Sequence, residues 1–184
     1  MSMAANNRAV FLDRDGTIME DTNCVGKVEH VVLIPRATQA LKHLQDAGYK
    51  LFIITNQSGV GRGHFTREVV ESIHAHLNDQ FGQAGVQFDR YYVCPHHPED
   101  NCECRKPKPK FLLDAAREYG LNLSRCFMIG DRASDIQAGV NAGVRTVLVL
   151  TGGGRETLAK QEARPDHVAN DIAAAAIWIL RQNQ

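Results

Sequence analysis

The chain has 184 residues, enough for one domain with a substantial hydrophobic core, and 43% of them are hydrophobic, as in globular proteins. Its 21 basic and 21 acidic residues balance, so the overall charge favours neither a nucleic acid nor a membrane surface as a partner. No apolar run approaches the roughly 20 residues that cross a bilayer. Because the polar segment 1–8 also lacks an apolar signal core, we expect a cytoplasmic protein.

Strands and helices are predicted to alternate along the chain. Short apolar runs predict buried strands, and apolar residues spaced along one face predict helices. In chain order they are strand 9–12, helix 35–47, strand 50–54, helix 66–81, strand 91–93, helix 111–119, strand 126–129, helix 133–141, strand 146–150 and helix 171–181. The alternation predicts an α/β fold with a parallel sheet covered on both faces. We find no repeat or linker, so we expect residues 1–184 to form a single domain, and we expect a monomer.

The segment 94–109 is polar, rich in Pro, Cys and His, and has neither helical nor strand periodicity. Its candidate metal ligands are Cys94, His96, Cys102 and Cys104. Three thiolates and one imidazole suit tetrahedral Zn²⁺, and four protein ligands leave no open position, which indicates a structural site. The alternative is a set of free thiols on a mobile loop, but the paired spacing favours zinc. His97 is the nearest rival ligand.

Polar residues follow four of the predicted strands. They are Asp13–Thr17, Thr55–Gly59, Arg105–Pro107 and Gly130–Arg132. Ligands of open α/β sheets bind beyond the carboxyl ends of the strands, so these four sets should meet at one end of the sheet. The glycine run 152–154 follows the last predicted strand and predicts a flexible loop near the same cleft.

The carboxylates in these sets suit a magnesium site. Asp13 and Asp15 would repel one another unless a cation lies between them or one takes a proton. Mg²⁺ prefers oxygen ligands, and Asp13, Asp131 and the backbone carbonyl of Asp15 could supply them. The side chain of Asp15 would then be free to transfer a proton. A carboxylate that attacks phosphorus gives an aspartyl-phosphate, which water hydrolyses.

The remaining polar residues suit a transition state that spreads negative charge over phosphoryl oxygens. Thr55 can donate a hydroxyl hydrogen bond, Lys106 supplies a compact positive charge and Arg105 can bind phosphate through two N–H groups. Each residue alone has an ordinary structural explanation, as a turn, a strand end or a solvated loop. Their joint placement after successive strands favours a phosphatase.

These four sets resemble the ordered motifs of the haloacid dehalogenase superfamily. The resemblance spans the chain from Val10 to about Leu150. It implies a Rossmann-like core, a nucleophile at Asp13, an acid/base at Asp15, a phosphate donor at Thr55, a stabilising lysine at Lys106 and a metal ligand at Asp131. It also implies a magnesium-dependent reaction.

The Cys/His loop resembles two phosphatase groups of that superfamily that lack a large cap domain. One group acts on heptose 1,7-bisphosphate at the C7 phosphate, in ADP- or GDP-heptose precursor synthesis, and the other on histidinol phosphate. Cys-Pro-His-His-Pro and the residues after the second strand favour the heptose group, so a small phosphorylated metabolite is the expected partner. By this resemblance, the substrate contacts are Asp21, Thr22, Asn23, Cys24, Asn56, Gln57, Ser58, Arg105 and Arg132.

Two departures affect those contacts. Thr22-Asn23-Cys24 stands where the group often has His-Gly-Tyr, and Arg132 stands where it often has lysine. Other small sugar phosphates remain alternative substrates. A zinc-stabilised ligand-binding module without catalysis is the alternative outside the enzymes.

Overall fold

The computed structural model describes residues 7–21 and 26–182. Its strands in that part of the chain are β1 (Ala9–Leu12), β2 (Lys50–Asn56), β3 (Arg90–Cys94), β4 (Phe127–Gly130), β5 (Arg145–Val149) and β6 (His167–Ala169). Its helices are α1 (Ala37–Asp46), α2 (Ser58–Gly61), α3 (Arg67–Gly82), α4 (Lys110–Tyr119), α5 (Ala133–Ala142), α6 (Gly154–Ala159) and α7 (Ile172–Arg181). Short 3₁₀ turns lie at Val28–His30, Pro98–Asp100 and Leu123–Arg125. Over these residues, no helix combines the length and apolar character needed to cross a bilayer.

The strands form one parallel sheet in the order β3-β2-β1-β4-β5-β6. From β1, the sheet continues to one side through β2 and β3 and to the other side through β4, β5 and β6. The strand order therefore switches between β1 and β4, and such switch points open a ligand crevice at the carboxyl ends of the strands. Leu12 lies beside Ile53 of β2 and Ile129 of β4. This register places Asp13, the end of β2 and Asp131 at the same edge, as the sequence predicts.

The core has two layers, one on each face of the sheet. Alternate β1 residues point to opposite layers, with Val10 and Leu12 in one and Ala9 and Phe11 in the other. Helices α1, α3 and α7 contribute to the first layer, and α4 and α5 to the second. Because the central strands of a doubly covered sheet are buried on both faces, they are continuous apolar runs. The α/β prediction is confirmed.

Three short elements are absent from the sequence prediction. They are β6 at the sheet edge and the helices α2 and α6. β6 has three residues, two of them only half-buried, which is too short for a strand pattern to emerge. The glycine run expected to be a loop is a tight turn: Gly152 has φ +51° and Gly154 begins α6.

Candidate active site

A cleft of about 190 Å³ opens where β1, β2 and β4 end. Its walls come from every one of the predicted motifs and from α5. The lining residues are Asp13, Asp15, Asp21, Thr55, Asn56, Arg105, Lys106, Arg132, Ser134 and Asp135. The carboxyl edge of the sheet therefore gathers the acidic and basic side chains that the sequence singles out.

Lys106 is the buried cation at the floor of this cleft. Its Nζ lies 2.7 Å from Asp13 Oδ1 and 2.7 Å from Asp135 Oδ1, and it donates to the carbonyl of Ile54 at 2.6 Å. Burial alone would lower the pKa of Lys106, but the charges of Asp13 and Asp135 outweigh it and raise the pKa above its ordinary range. Lys106 is therefore a cation near neutral pH, and it holds the carboxylate of Asp13 in place.

Asp13 lies among more negative charge than Lys106 balances. Burial, opposed by Lys106 but reinforced by Asp135, Asp131 and Asp15, raises the pKa of the Asp13 carboxyl well above its usual value. Asp13 is only 8% exposed, so water cannot screen this repulsion. A bound divalent cation would relieve it and keep Asp13 ionised.

Asp131 carries the clearest sign of a metal position. The side chain is fully buried, Oδ2 accepts from the backbone N–H of Gly153 at 2.7 Å, and Arg132 Nε lies 3.3 Å from the same oxygen. In the described residues, the buried Oδ1 has no hydrogen-bond partner. Burial, followed by the charge of Asp135, raises the pKa of Asp131 to about 6.

Oxygen atoms of Asp13, Asp131 and Asp135 lie within 4.8 Å of one another. Asp135 is already committed, because Oδ1 pairs with Lys106 and Oδ2 accepts from the backbone N–H of Arg132. The orphaned Asp131 oxygen and the crowded Asp13 carboxylate thus fit a hard divalent cation such as Mg²⁺. The backbone carbonyl of Asp15 stays the predicted third ligand.

Asp15 has a setting quite different from that of Asp13. The guanidinium of Arg14 donates to both of its oxygens, from Nη2 to Oδ1 at 2.9 Å and from Nε to Oδ2 at 3.1 Å. Gln57 Nε2 donates to Asp15 Oδ2 at 2.9 Å and to Thr55 Oγ1 at 2.7 Å. Because Thr55 Oγ1 accepts from Gln57, its own hydroxyl hydrogen can point into the cleft.

The predicted substrate contacts divide into inner and outer residues. Gln57 is buried and its amide is used by Asp15 and Thr55. The amide of Asn56 is used on the backbone of Lys106, donating to its carbonyl at 3.2 Å and accepting from its N–H at 3.1 Å. Gln57 thus supports the site from outside the cleft lining, whereas Asn56 lines the cleft itself. Direct contact of either side chain with a substrate stays a prediction.

The outer residues are cationic. Arg105 Nη1 donates to Ser58 Oγ at 2.8 Å, and Arg132 Nη2 donates to Asp21 Oδ2 at 2.8 Å. Both guanidinium groups line the cleft, and Arg132 is half exposed. The rim can thus bind an anionic group beyond the one that reacts. Thr22, Asn23 and Cys24 lie outside the described residues.

The Cys/His loop follows β3 and leads directly to Arg105 and Lys106. Its Sγ atoms lie 3.5 Å apart for Cys94 and Cys102 and 3.6 Å apart for Cys102 and Cys104. His96 Nδ1 lies 3.2 Å from Cys104 and 3.6 Å from Cys94. A tetrahedral zinc with bonds of about 2.3 Å to sulfur and 2.0 Å to nitrogen sets its ligands about 3.5–3.8 Å apart. The four groups could therefore hold zinc.

His97 has a different role from its neighbour His96. Its Nδ1 accepts from the backbone N–H of Glu99 at 3.3 Å, and the backbone N–H of His97 donates to Asp100 Oδ2 at 2.8 Å. His97 thus caps the 3₁₀ turn at Pro98–Asp100. The imidazole that faces the thiols belongs to His96.

The sequence alone does not establish a role for Arg14, His74 or Asp135. Arg14 stands between two motif aspartates but is fully buried, and Asp135 is 1% exposed. Their burial depends on how the turn after β1 and the start of α5 pack, which no residue spacing reports. His74 did carry a signal, because it occupies the apolar face of the predicted helix.

Comparison with known proteins identifies the family of the chain. A family model described as HAD-hydrolase-like matches residues 103–175. The chain is 45% identical over 150 residues to D-glycero-beta-D-manno-heptose-1,7-bisphosphate 7-phosphatase of Helicobacter pylori strain J99, which covers 81% of this chain and 86% of the relative. Identity to the protein of the same name from Yersinia pestis is 38% over 173 residues, covering 90% and 91%.

A solved structure is similar over nearly the whole chain. The crystal structure of D,D-heptose 1,7-bisphosphate phosphatase from B. bronchiseptica, complexed with magnesium and phosphate, superposes with a TM-score of 0.91 at 36% identity. The match covers 95% of this chain and 99% of that one. The chain therefore belongs to the family of D-glycero-D-manno-heptose-1,7-bisphosphate 7-phosphatases within the HAD-like hydrolases.

Proposed function

We propose that the chain hydrolyses the C7 phosphate of D-glycero-D-manno-heptose 1,7-bisphosphate through an aspartyl-phosphate, in the synthesis of ADP- or GDP-heptose precursors. The observation that carries this proposal is the unequal setting of two carboxylates in one cleft. Asp13 is held through one oxygen by Lys106, whereas Asp15 is held through both oxygens by Arg14. The names of the relatives and the solved neighbour supply the substrate.

In the first step, a carboxylate oxygen of Asp13 attacks the phosphorus of the C7 phosphate. A bond forms between that oxygen and phosphorus, and the bond between phosphorus and the C7 oxygen breaks. Asp15 donates its proton to the departing C7 oxygen, which leaves as a hydroxyl. Lys106 and the Thr55 hydroxyl stabilise the charge on the phosphoryl oxygens.

In the second step, water attacks the phosphorus of the aspartyl-phosphate. Asp15, now a carboxylate, takes a proton from that water, and the Asp13 carboxylate is released with inorganic phosphate. Lys106 keeps Asp13 oriented through both steps because its ion pair is buried.

Asp13, Asp131 and the backbone carbonyl of Asp15 would hold Mg²⁺. When bound, the ion neutralises charge on the phosphoryl group and on the crowded carboxylates. Arg105 and Arg132 would bind the part of the substrate that does not react, including its second phosphate, since both line the rim of the cleft.

We further propose a single domain, acting as a monomer in the cytoplasm, with no nucleic acid or membrane partner and a structural zinc at Cys94, His96, Cys102 and Cys104. None of the described cysteines, Cys94, Cys102, Cys104 and Cys126, is in a disulfide, which fits a reducing compartment.

The test measures phosphate release with Mg²⁺ on the α and β anomers of heptose 1,7-bisphosphate, histidinol phosphate and fructose 1,6-bisphosphate. We expect the heptose substrate to be preferred, with the β anomer favoured because several relatives are named for it. Preference for histidinol phosphate would refute the substrate, and no release from any compound would favour a binding module. Asp13→Asn should fold but lose turnover; near-wild-type rates would refute the covalent mechanism.

A further inference from the structure

A fully buried arginine lies directly behind Asp15. The Arg14 guanidinium engages both carboxylate oxygens of Asp15, at 2.9 and 3.1 Å. A two-point contact of this kind fixes the plane of a carboxylate, which a single ammonium contact does not. Arg14 therefore determines where the free lone pairs of Asp15 point.

A buried histidine from α3 holds the remaining arm of that guanidinium. Arg14 Nη1 lies 3.3 Å from His74 Nε2. Because arginine can only donate, Nε2 must accept, and the proton of a neutral ring is then on Nδ1. Burial, followed by the charge of Arg14, lowers the pKa of His74 to about 3, so the ring is neutral near pH 7 and can serve as the acceptor.

His74 is itself fixed by a stacked tyrosine. The rings of His74 and Tyr91 lie 4.3 Å apart at 25°, and the Tyr91 hydroxyl donates to Asn78 Oδ1 at 2.9 Å. A chain of contacts thus runs from β3 and α3 through Arg14 to Asp15. Neither Arg14 nor His74 is among the described residues that line the cleft.

We propose that Arg14 and His74 are positioning residues for the acid/base group: His74 fixes Arg14, and Arg14 aims the carboxyl of Asp15 at the oxygen that leaves. The inference rests on the proposed phosphatase function and adds two residues outside the cleft lining, which are not among the proposed substrate contacts or metal ligands. Its consequence is selective. The proton transfers to the leaving oxygen and from the attacking water depend on the orientation of Asp15, whereas substrate binding depends on the rim.

The selective consequence can be measured through the leaving group. A sugar alkoxide needs a proton as it departs, whereas 4-nitrophenolate leaves without one. The ratio kcat/KM reports steps up to the first irreversible one, here the transfer of the phosphoryl group to Asp13. A misdirected Asp15 should therefore lower kcat/KM for heptose bisphosphate much more than for 4-nitrophenyl phosphate.

The test compares His74→Leu, which fills the space without an acceptor, with His74→Gln, whose side-chain oxygen can replace Nε2. Positioned general acids contribute about 10²–10⁴-fold to rate, so we expect His74→Leu to lose at least about tenfold in kcat/KM on heptose bisphosphate. The loss on 4-nitrophenyl phosphate should stay within about threefold, and His74→Gln should recover most of the difference. His76→Leu is the matched control, since His76 lies on the same helix and contacts Gln80 instead.

Arg14→Lys, made in parallel, keeps the buried charge but loses the two-point contact, and should show the same selectivity if His74→Leu does not fold. Equal losses of kcat/KM on both substrates, or wild-type kcat/KM on heptose bisphosphate from folded variants, would overturn the positioning role of His74 and Arg14. The proposed function would stay intact. A wild-type protein that releases phosphate from neither substrate would overturn both.

Discussion

Gly152 packs against the proposed metal ligand, and its replacement by alanine should weaken magnesium binding. Its φ is +51°, and a Cβ there would lie 2.5 Å from Asp131 Oδ2 and 2.6 Å from the Cα of Gly16. The left-handed conformation costs a non-glycine residue about 1–2 kcal/mol. Contacts this short force the turn or the carboxylate to move as well. Disturbing groups that orient a metal ligand typically lowers metal affinity about 10–100-fold.

The matched control is Gly120→Ala. Gly120 ends α4 with φ +63°, but a Cβ there would meet no atom within 4 Å. Both variants carry the same backbone strain, so only Gly152→Ala should shift the Mg²⁺ concentration that gives half-maximal phosphate release. Thermal unfolding with increasing Mg²⁺ gives the same comparison without turnover. A Gly152→Ala protein with the magnesium dependence of Gly120→Ala would refute the metal position at Asp131.

Three further predictions test other parts of the molecule. Lys106→Met leaves the buried Asp13 without its cation, so urea unfolding should show a loss of about 3–5 kcal/mol without Mg²⁺, partly recovered when Mg²⁺ is added; an unchanged stability would contradict the ion pair. Cys102→Ala should lower zinc content and melting temperature, whereas Cys126→Ala should keep its zinc; stoichiometric zinc in the first variant would refute the ligand set. Between about pH 6.5 and 3, the unfolded chain binds a proton at His74 that the folded chain does not. Unfolding free energy should therefore fall with falling pH, by up to about 1.4 kcal/mol per unit, and less steeply in His74→Leu; equal slopes would show that His74 is not held neutral.

The fold could be predicted because each central strand is a short apolar run that ends at a polar motif. Leu12 is buried and Asp13 follows it, and the parallel register then brings the end of β2 alongside. The edge strand β6 could not be predicted in the same way. Its three residues are too few to show a strand pattern, and it is a strand because it pairs with β5.

The sequence predicts which residues form the site, but it does not predict how their side chains are oriented. Thr55 lies near the end of β2 and Gln57 directly follows that strand, yet the amide of Gln57 turns inward to Asp15 while Thr55 faces the cleft. That choice depends on the turn into α2, an element too short to show in the sequence. His74 is the instructive exception, because it lies with Val70, Ile73 and Leu77 on the buried face of α3.

Two aspartates separated by one residue acquire different chemistry because different cations hold them. Lys106 contacts Asp13 through a single oxygen, and among the described residues no hydrogen bond reaches the other oxygen, which leaves it available for attack on phosphorus. Arg14 and Gln57 place three N–H donors on Asp15, which fixes its orientation but makes it a poor candidate for nucleophilic attack, since those contacts would have to break. The division between nucleophile and acid/base therefore follows from the cation that each carboxylate contacts. The ammonium of Lys106 contacts Asp13 at one oxygen, whereas the planar guanidinium of Arg14 contacts Asp15 at both.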